Sequence, residues 1–258
     1  MTGVRIERVV KRFAIAGERV TALDAVSLAV EPGSMAALIG PSGCGKSTLL
    51  RLVADILAPD QGRITIDGAP PRAARLAHKL GFVFQDATLL PWRSVLANVA
   101  LPLEIIGAAR AGAQRAEALL ELVGLKGFER ARPAQLSGGM QQRVAIARAL
   151  VLEPEVLLLD EPFGALDEIT RQKMNLELLR IWRESRTTAI LVTHSLAEAV
   201  FMADVVHVLA ARPGRLVASI PVDLPRPREL VMLADPRFTA LTNRVREALF
   251  GEQLADAA

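Results

Sequence analysis

Residues 4–10 and 20–30 alternate apolar and polar side chains, a period of two that predicts antiparallel strands with one face in water. Glu31-Pro32-Gly33 reads as a turn after the second of them. Met35–Ile39 is apolar throughout, which suits a short buried strand, and it runs into a glycine-rich turn. Helical spacing over Ser47–Ile56 follows and stops at Ala58-Pro59-Asp60-Gln61-Gly62. Arg63–Asp67 and Leu80–Phe84 are two more short strands.

From about Ala87 to Glu153 the pattern changes, with helical periodicity over 94–106, 111–123 and 140–152 and no strand between them. Buried strands return at Val156–Leu159 and Thr188–Thr193, and an amphipathic helix over 168–186 separates them. Val205–Leu209 and Leu216–Ile220 complete the strands, 221–235 is Pro-rich and irregular, and Pro236–Phe250 is a last amphipathic helix. No internal repeat is present. The layout predicts an α/β fold with an N-terminal antiparallel β portion and an inserted α-helical subdomain. The expected organisation is one domain over 1–220, with the helical subdomain at about 87–153, then a linker and helix over 221–258.

Composition narrows this picture in three ways. The chain has 258 residues and is 51% hydrophobic but only 4% aromatic, so Ala, Leu, Val and Ile must build its core. A net charge of +3 at this length gives no reason to expect nucleic acid as a partner. Cys44 is the single cysteine, which rules out an internal disulfide. The first residues lack the apolar stretch of a signal peptide, and no segment reaches the roughly 18 uncharged apolar residues of a spanning helix. Arg148 interrupts Val144–Leu152, and Asp204 interrupts Ala199–Leu209. The expectation is a soluble chain that could serve a membrane only from its cytoplasmic face, as a peripheral subunit.

Candidate chemistry centres on Gly40-Pro41-Ser42-Gly43-Cys44-Gly45-Lys46-Ser47-Thr48, which fits G-x-x-x-x-G-K-[ST] between a buried strand and a helix. Small residues let backbone N–H groups approach phosphates, and the helix N-terminus adds partial positive charge. Lys46 is expected at the β- and γ-phosphates, Ser47 at Mg²⁺ and Thr48 at the α-phosphate of a bound ATP. Val156–Leu159 delivers Asp160 to the C-terminal edge of the sheet, where ligands bind in open α/β folds. Asp160 is the expected Mg²⁺ carboxylate, and Glu161, pointing differently, the general base for an attacking water.

Phosphate loops occur in kinases, GTPases and motors too. Leu136-Ser137-Gly138-Gly139-Met140-Gln141-Gln142-Arg143 separates them, because it resembles the signature of the ABC transporter ATPases. The resemblance covers nearly the whole chain and implies a P-loop NTPase core of RecA-like type. Ser137, Gly138 and Gly139 sit at the start of a helix whose dipole points at whatever docks there. In this family that segment, with Gln141, closes on ATP held by a second subunit. The resemblance therefore implies a head-to-tail homodimer with two composite sites.

Further positions match the family pattern. Phe13 stands where an aromatic stacks on adenine, although Tyr is commoner there and this chain has none; the other reading is a core residue. Gln85 resembles the glutamine that touches Mg²⁺ or the attacking water. Asp167, in Gly164-Ala165-Leu166-Asp167, resembles the polar contact of the loop that crosses the dimer interface. His194 resembles the histidine at the γ-phosphate, whereas His78, in a basic surface helix, and His207, in a strand, read as structural or solvated. Cys44 lies near Lys46 and a helix N-terminus, both of which lower a thiol pKa; the alternative is an inert buried filler.

The branch is suggested by Phe84–Trp92, Leu166–Arg171, Glu198–Asp204, Ala211-Arg212-Pro213-Gly214-Arg215 and Pro225-Arg226-Pro227-Arg228. Together they resemble the ATPase subunits of nitrate, sulfonate and taurine importers, a branch that also serves thiamine precursors. The resemblance implies separate membrane permease subunits and, through them, a solute-binding protein. Trp92 is either an exposed anchor for the permease or packed in the helical subdomain, and Trp182 reads as core. Two alternatives stand beside the importer reading: a soluble ABC ATPase of a non-transport assembly, and a P-loop kinase, which leaves Leu136–Arg143 without a purpose.

Overall fold

A computed structural model describes residues 3–15, 17–164, 166–185, 187–210 and 212–255. Ala165 and Ala211, each part of a motif above, lie outside the described residues. In chain order the elements begin β1 (Val4–Ile15), β2 (Glu18–Val30), β3 (Met35–Ile39), α1 (Lys46–Val53), β4 (Gln61–Ile66), α2 (Pro71–Leu76) and β5 (Leu80–Val83). They continue with α3 (Val95–Ile105), α4 (Ala109–Leu122), α5 (Gly138–Leu150), β6 (Val156–Asp160), α6 (Glu168–Ser185) and β7 (Thr188–Val192). The chain ends with α7 (Leu196–Met202), β8 (Val205–Leu209), β9 (Leu216–Pro221) and α8 (Pro236–Ala255). Contacts divide it into two compact units, Met1–Ala77 with Thr188–Ala258, and His78–Thr187.

In the first unit, β2, β1 and β4 form an antiparallel sheet in that order. Val26, Leu28 and Val30 are buried while Ala25, Ser27 and Ala29 are exposed, so the alternation read from the sequence is the alternation of faces. Strand β1 runs on to Ile15, past the expected end, because its last residues pair with β2 from Thr21 back to Glu18 across register shifts. Backbone pairing with a neighbour extends the strand where side-chain alternation has faded.

The same unit holds β3 between β7 and β8, parallel to both, with β9 antiparallel on β8. Every residue of β3 and β7 is buried, which explains why both are apolar throughout apart from Thr188 at the start of β7. Helix α8 packs here through buried Phe238, Leu241 and Val245. The Pro-rich segment before it is fixed by charge. Arg226 Nε donates to Asp204 Oδ1 at 2.8 Å, Asp204 Oδ2 accepts from the Met35 backbone at 2.8 Å, and Arg228 Nη2 donates to Ala203 O at 3.0 Å. Helix α1 stops at Val53, three residues short of expectation, where Asp55 turns to a φ of 57°. His78, expected in a helix, lies just past α2 with a φ of 58°.

In the second unit β5 and β6 pair in parallel. Helices α3, α4 and α5 close a core that includes Val99, Leu103, Leu120, Val144 and Ile146. Asn98 is fully buried there and saturates its hydrogen bonds. Its Oδ1 accepts from Leu90 N at 2.8 Å, and its Nδ2 donates to the carbonyls of Leu90, Arg93 and Ser94 at 3.0–3.3 Å. The loop around Trp92 is thereby pinned, with the indole 69% exposed. Trp182 is buried and donates to Thr187 O at 2.7 Å, the core position expected of it.

Candidate nucleotide site

The phosphate loop joins β3 to α1, and packing makes two of its glycines obligatory. A β-carbon on Gly40 would stand 2.6 Å from Leu209 O and 2.7 Å from Cys44 Sγ. Gly45, the residue before α1, has a φ of 95°, and a β-carbon there would meet Leu23 Cδ2 at 2.6 Å. As Gly45 offers no side chain to cap α1 and the first turn carries no acidic residue, its leading N–H groups and dipole serve the loop. Lys46 is 6% exposed and donates to Gly40 O at 2.7 Å and Pro41 O at 3.0 Å, so its ammonium is held at the loop. Ser42 and Gly43 are exposed, while Pro41, Ser47 and Thr48 are half-buried.

Cys44 has two readings, a thiol pKa lowered by its surroundings and an inert buried filler. Its side chain is 1% exposed, and this burial pushes the thiol up, outweighing the Lys46 ammonium 3.8 Å away, which pulls it down. The inert-filler reading is the one this geometry supports.

His194 follows β7 and is exposed. Since Leu38 of β3 faces Val192 of β7 in a parallel ladder, Gly40 and His194 leave the sheet at the same edge. The backbone beside His194 is fixed: Ser195 N donates to Thr193 Oγ1 at 3.0 Å, Thr193 bonds Glu198, and Ser195 Oγ caps α7 by accepting from Glu198 N at 3.3 Å. Phe13 is half-buried at the far end of β1, not a core residue. The Lys11 ammonium sits 5.5 Å from its ring centroid, itself held by Ala58 O at 2.8 Å. His207 is buried in β8 with Nδ1 2.8 Å from Ser219 Oγ, a structural residue.

In the second unit β6 ends on Asp160, 5% exposed. Glu161 then takes a φ of 45°, a left-handed conformation that is costly for a residue with a β-carbon and turns its side chain away from the strand direction. Gly164 leaves room for that carboxylate: a β-carbon there would lie 3.3 Å from Glu161 Oε2. Asp167 is an N-cap, its Oδ1 accepting from Thr170 N at 3.0 Å, and this bond holds its carboxyl below the usual carboxylate range.

Ser137 caps α5, accepting from Met140 N at 3.3 Å. Gly139 is buried, and a β-carbon on it would make ordinary contacts with Thr170 and Leu166 at 3.9–4.0 Å. Gly138 differs: apart from its chain neighbours and its own helix backbone, no described atom lies within 4 Å of where its β-carbon would stand, and its φ needs no glycine. Nothing in its own fold asks for Gly138, which suits close approach by an outside group. Gln141 is turned inward, with Nε2 donating to Pro133 O at 3.0 Å and Leu136 O at 3.4 Å, so it braces the signature loop.

Gln85 is exposed just past β5. Its loop is anchored by two side chains of α5 that sequence reasoning did not assign. Gln142 Nε2 donates to Phe84 O at 3.1 Å, and Arg148 donates to Ala87 O, Thr88 O and Thr88 Oγ1 at 2.7–3.0 Å. Both are polar intrusions in a mostly apolar helix face, which was the available signal. Read from the sequence, Arg148 served only to interrupt an apolar run.

The ABC transporter family model matches residues 23–164. The aliphatic sulfonates import ATP-binding protein SsuB of Bacillus subtilis is 45% identical over 235 residues, 91% of this chain and 89% of that protein. The taurine import ATP-binding protein TauB of Pseudomonas aeruginosa is 43% identical over 260 residues, 98% of this chain and 97% of its own length. Among solved structures, the dimeric post-hydrolysis state of the ATP-binding cassette MJ0796, bound to ADP and Pi, superimposes with a TM-score of 0.75. It is 32% identical and covers 86% of this chain and 100% of its own. Identity at this level along nearly the full length of both chains makes this protein a member of the ABC transporter family, an ATPase related to the ATP-binding subunits named for sulfonate and taurine import.

Proposed function

We propose that this chain is the ATP-hydrolysing subunit of an importer, working as a head-to-tail homodimer that powers uptake of a small sulfonate- or taurine-type solute. It would act at the cytoplasmic face of the membrane, beneath separate permease subunits that receive the solute from a binding protein. One observation carries the reading: Gly138 has no intrachain reason to be glycine, yet it opens a capped helix with no acidic residue in its first turn. That is half of an anion site on offer to another molecule. The dimeric MJ0796 structure and the names of the two relatives support it. Among the described residues no helix is long and apolar enough to cross a membrane, so the permease is a separate chain in this reading.

In the proposed mechanism Lys46 and the N–H groups of Gly40–Thr48 bind the β- and γ-phosphates, and Phe13 offers its ring to adenine. Ser137, Gly138 and Gly139 of a second copy close on the same ATP, with Gln141 bracing their loop and Asp167 fixing the start of α6 beside it in sequence. Glu161 takes the proton of the attacking water as its oxygen bonds the γ-phosphorus and the bond to ADP breaks. His194 donates to the γ-phosphate. By the chemistry of their oxygen donors, Ser47, Asp160 and Gln85 would hold Mg²⁺, a hard ion that needs only one or two protein carboxylates beside substrate phosphates. When bound, Mg²⁺ neutralises phosphate charge. Trp92, exposed on a pinned loop, is the proposed permease anchor.

Co-purification from detergent extracts of the native organism tests the importer reading. A membrane-spanning partner should elute with the chain and be lost on Trp92→Ala. A chain that never associates with such a partner contradicts the reading and favours a soluble ABC ATPase.

A further inference from the structure

The turn between β8 and β9 is seated on the phosphate loop. Gly214 N donates to Ala22 O at 2.9 Å, and Gly214 O accepts from Asp24 N at 2.9 Å. A β-carbon on Gly214 would stand 2.0 Å from Cys44 O, so the turn's backbone lies directly against the loop's. Arg215 fixes this contact through Asp24 Oδ2, with Nη2 at 2.6 Å and Nε at 2.9 Å.

The other arginine of the turn is used differently. Arg212 Nη2 and Nε lie 3.5 and 3.8 Å from where a β-carbon on Gly43 would stand. Its guanidinium therefore lies against the exposed centre of the phosphate loop. Arg212 is itself exposed, and none of the described carboxylates forms an ion pair with it. One arginine of Arg212-Pro213-Gly214-Arg215 anchors the turn, and the anchored turn holds the other, charge uncompensated, over Gly43. A cation without a local anion lowers the energy of a polyphosphate bound a few ångströms away.

We infer that Arg212 is a positioning and affinity residue for the nucleotide: with Lys46 it supplies a second positive charge to the phosphate loop and favours the triphosphate over the diphosphate. This rests on reading Gly40–Thr48 as the phosphate site. The preference follows from charge, since the γ-phosphate adds negative charge to the field that Arg212 creates. Arg212 acts from outside the loop, so charge matters more than shape, and Lys should substitute for it.

The test is equilibrium binding of Mg-ATP and Mg-ADP to the full chain, for the wild type and Arg212→Ala, Arg212→Lys and Arg212→Glu, at low and high salt. Arg212→Ala should weaken ATP by about three- to tenfold at low salt and ADP by less. Arg212→Glu should weaken ATP further, Arg212→Lys should stay near wild type, and the differences should shrink as salt rises. The melting temperature without nucleotide should not move. Unchanged ATP affinity in both Arg212→Ala and Arg212→Glu overturns the inference. So does an equal loss for ATP and ADP that tracks a falling melting temperature, which would make Arg212 a strap only. Lys46→Ala is the control: if it binds ATP normally, the phosphate-site reading fails, whatever Arg212 does.

Discussion

Oε2 of Glu161 lies 3.3 Å from the point where a β-carbon on Gly164 would stand. Gly164 is therefore part of how the proposed base is aimed. Strand β6 ends one residue before Glu161, and the φ of 45° turns the carboxylate back over the turn that Gly164 closes, where Gly164 N donates to Glu161 O at 3.2 Å. Gly164→Ala should push the carboxylate by a few tenths of an ångström. The expected result is a fall in kcat of roughly three- to tenfold with ATP affinity unchanged, because misplacement of a reacting group costs rate before it costs binding. Steady-state ATPase assays beside nucleotide-binding titrations check it.

Asn98 gives a second prediction. Asn98→Ala removes four hydrogen bonds from a fully buried side chain and takes the acceptor from Leu90 N in its half-buried loop. Urea unfolding should show a loss of about 2–3 kcal/mol. Trp92 fluorescence should shift as its loop loosens, whereas Trp92→Ala should leave stability within about 0.5 kcal/mol, being a substitution at an exposed position.

His207 sets a pH dependence. Burial pulls its pKa down from 6.5 to about 4. Above about pH 6.5 the imidazole is neutral in both folded and unfolded chains. As pH falls towards 4 the unfolded chain takes up the proton first, so stability is lost across that window. Between pH 7.5 and pH 5 this one residue should cost the wild type about 2 kcal/mol. Denaturant unfolding of the wild type and His207→Leu at the two pH values checks it: the variant's stability should depend on pH less by that amount.

Much of this was legible because certain residues have few alternatives. The all-apolar runs Met35–Ile39 and Val156–Leu159 suit strands covered on both faces, and Gly40–Thr48 is a loop in which packing forbids a side chain at Gly40 and Gly45. What was not legible depends on partners distant in sequence. Residues 11–15 are strand because β2 pairs with them, not because they alternate. Arg148 read as a break in an apolar helix and is in fact the anchor of the Gln85 loop, 60 residues away. Gln141 read as a ligand contact, yet its amide is engaged by its own loop. Spacing along a chain identifies a motif, but whether a polar side chain faces outward or braces the motif from within is decided by packing.

The central claim is that one chain holds only half of each catalytic site. Glu161→Gln keeps the shape of the proposed base and removes its ability to take a proton, which should slow hydrolysis on the order of 10²–10⁴-fold while ATP still binds. The decisive measurement is the molar mass of this variant in solution with Mg-ATP. A species of about twice 27.7 kDa, absent without nucleotide, is the expected result. A Glu161→Gln chain that binds ATP, stays at the monomer mass and hydrolyses at the wild-type rate would contradict both the base assignment and the composite site.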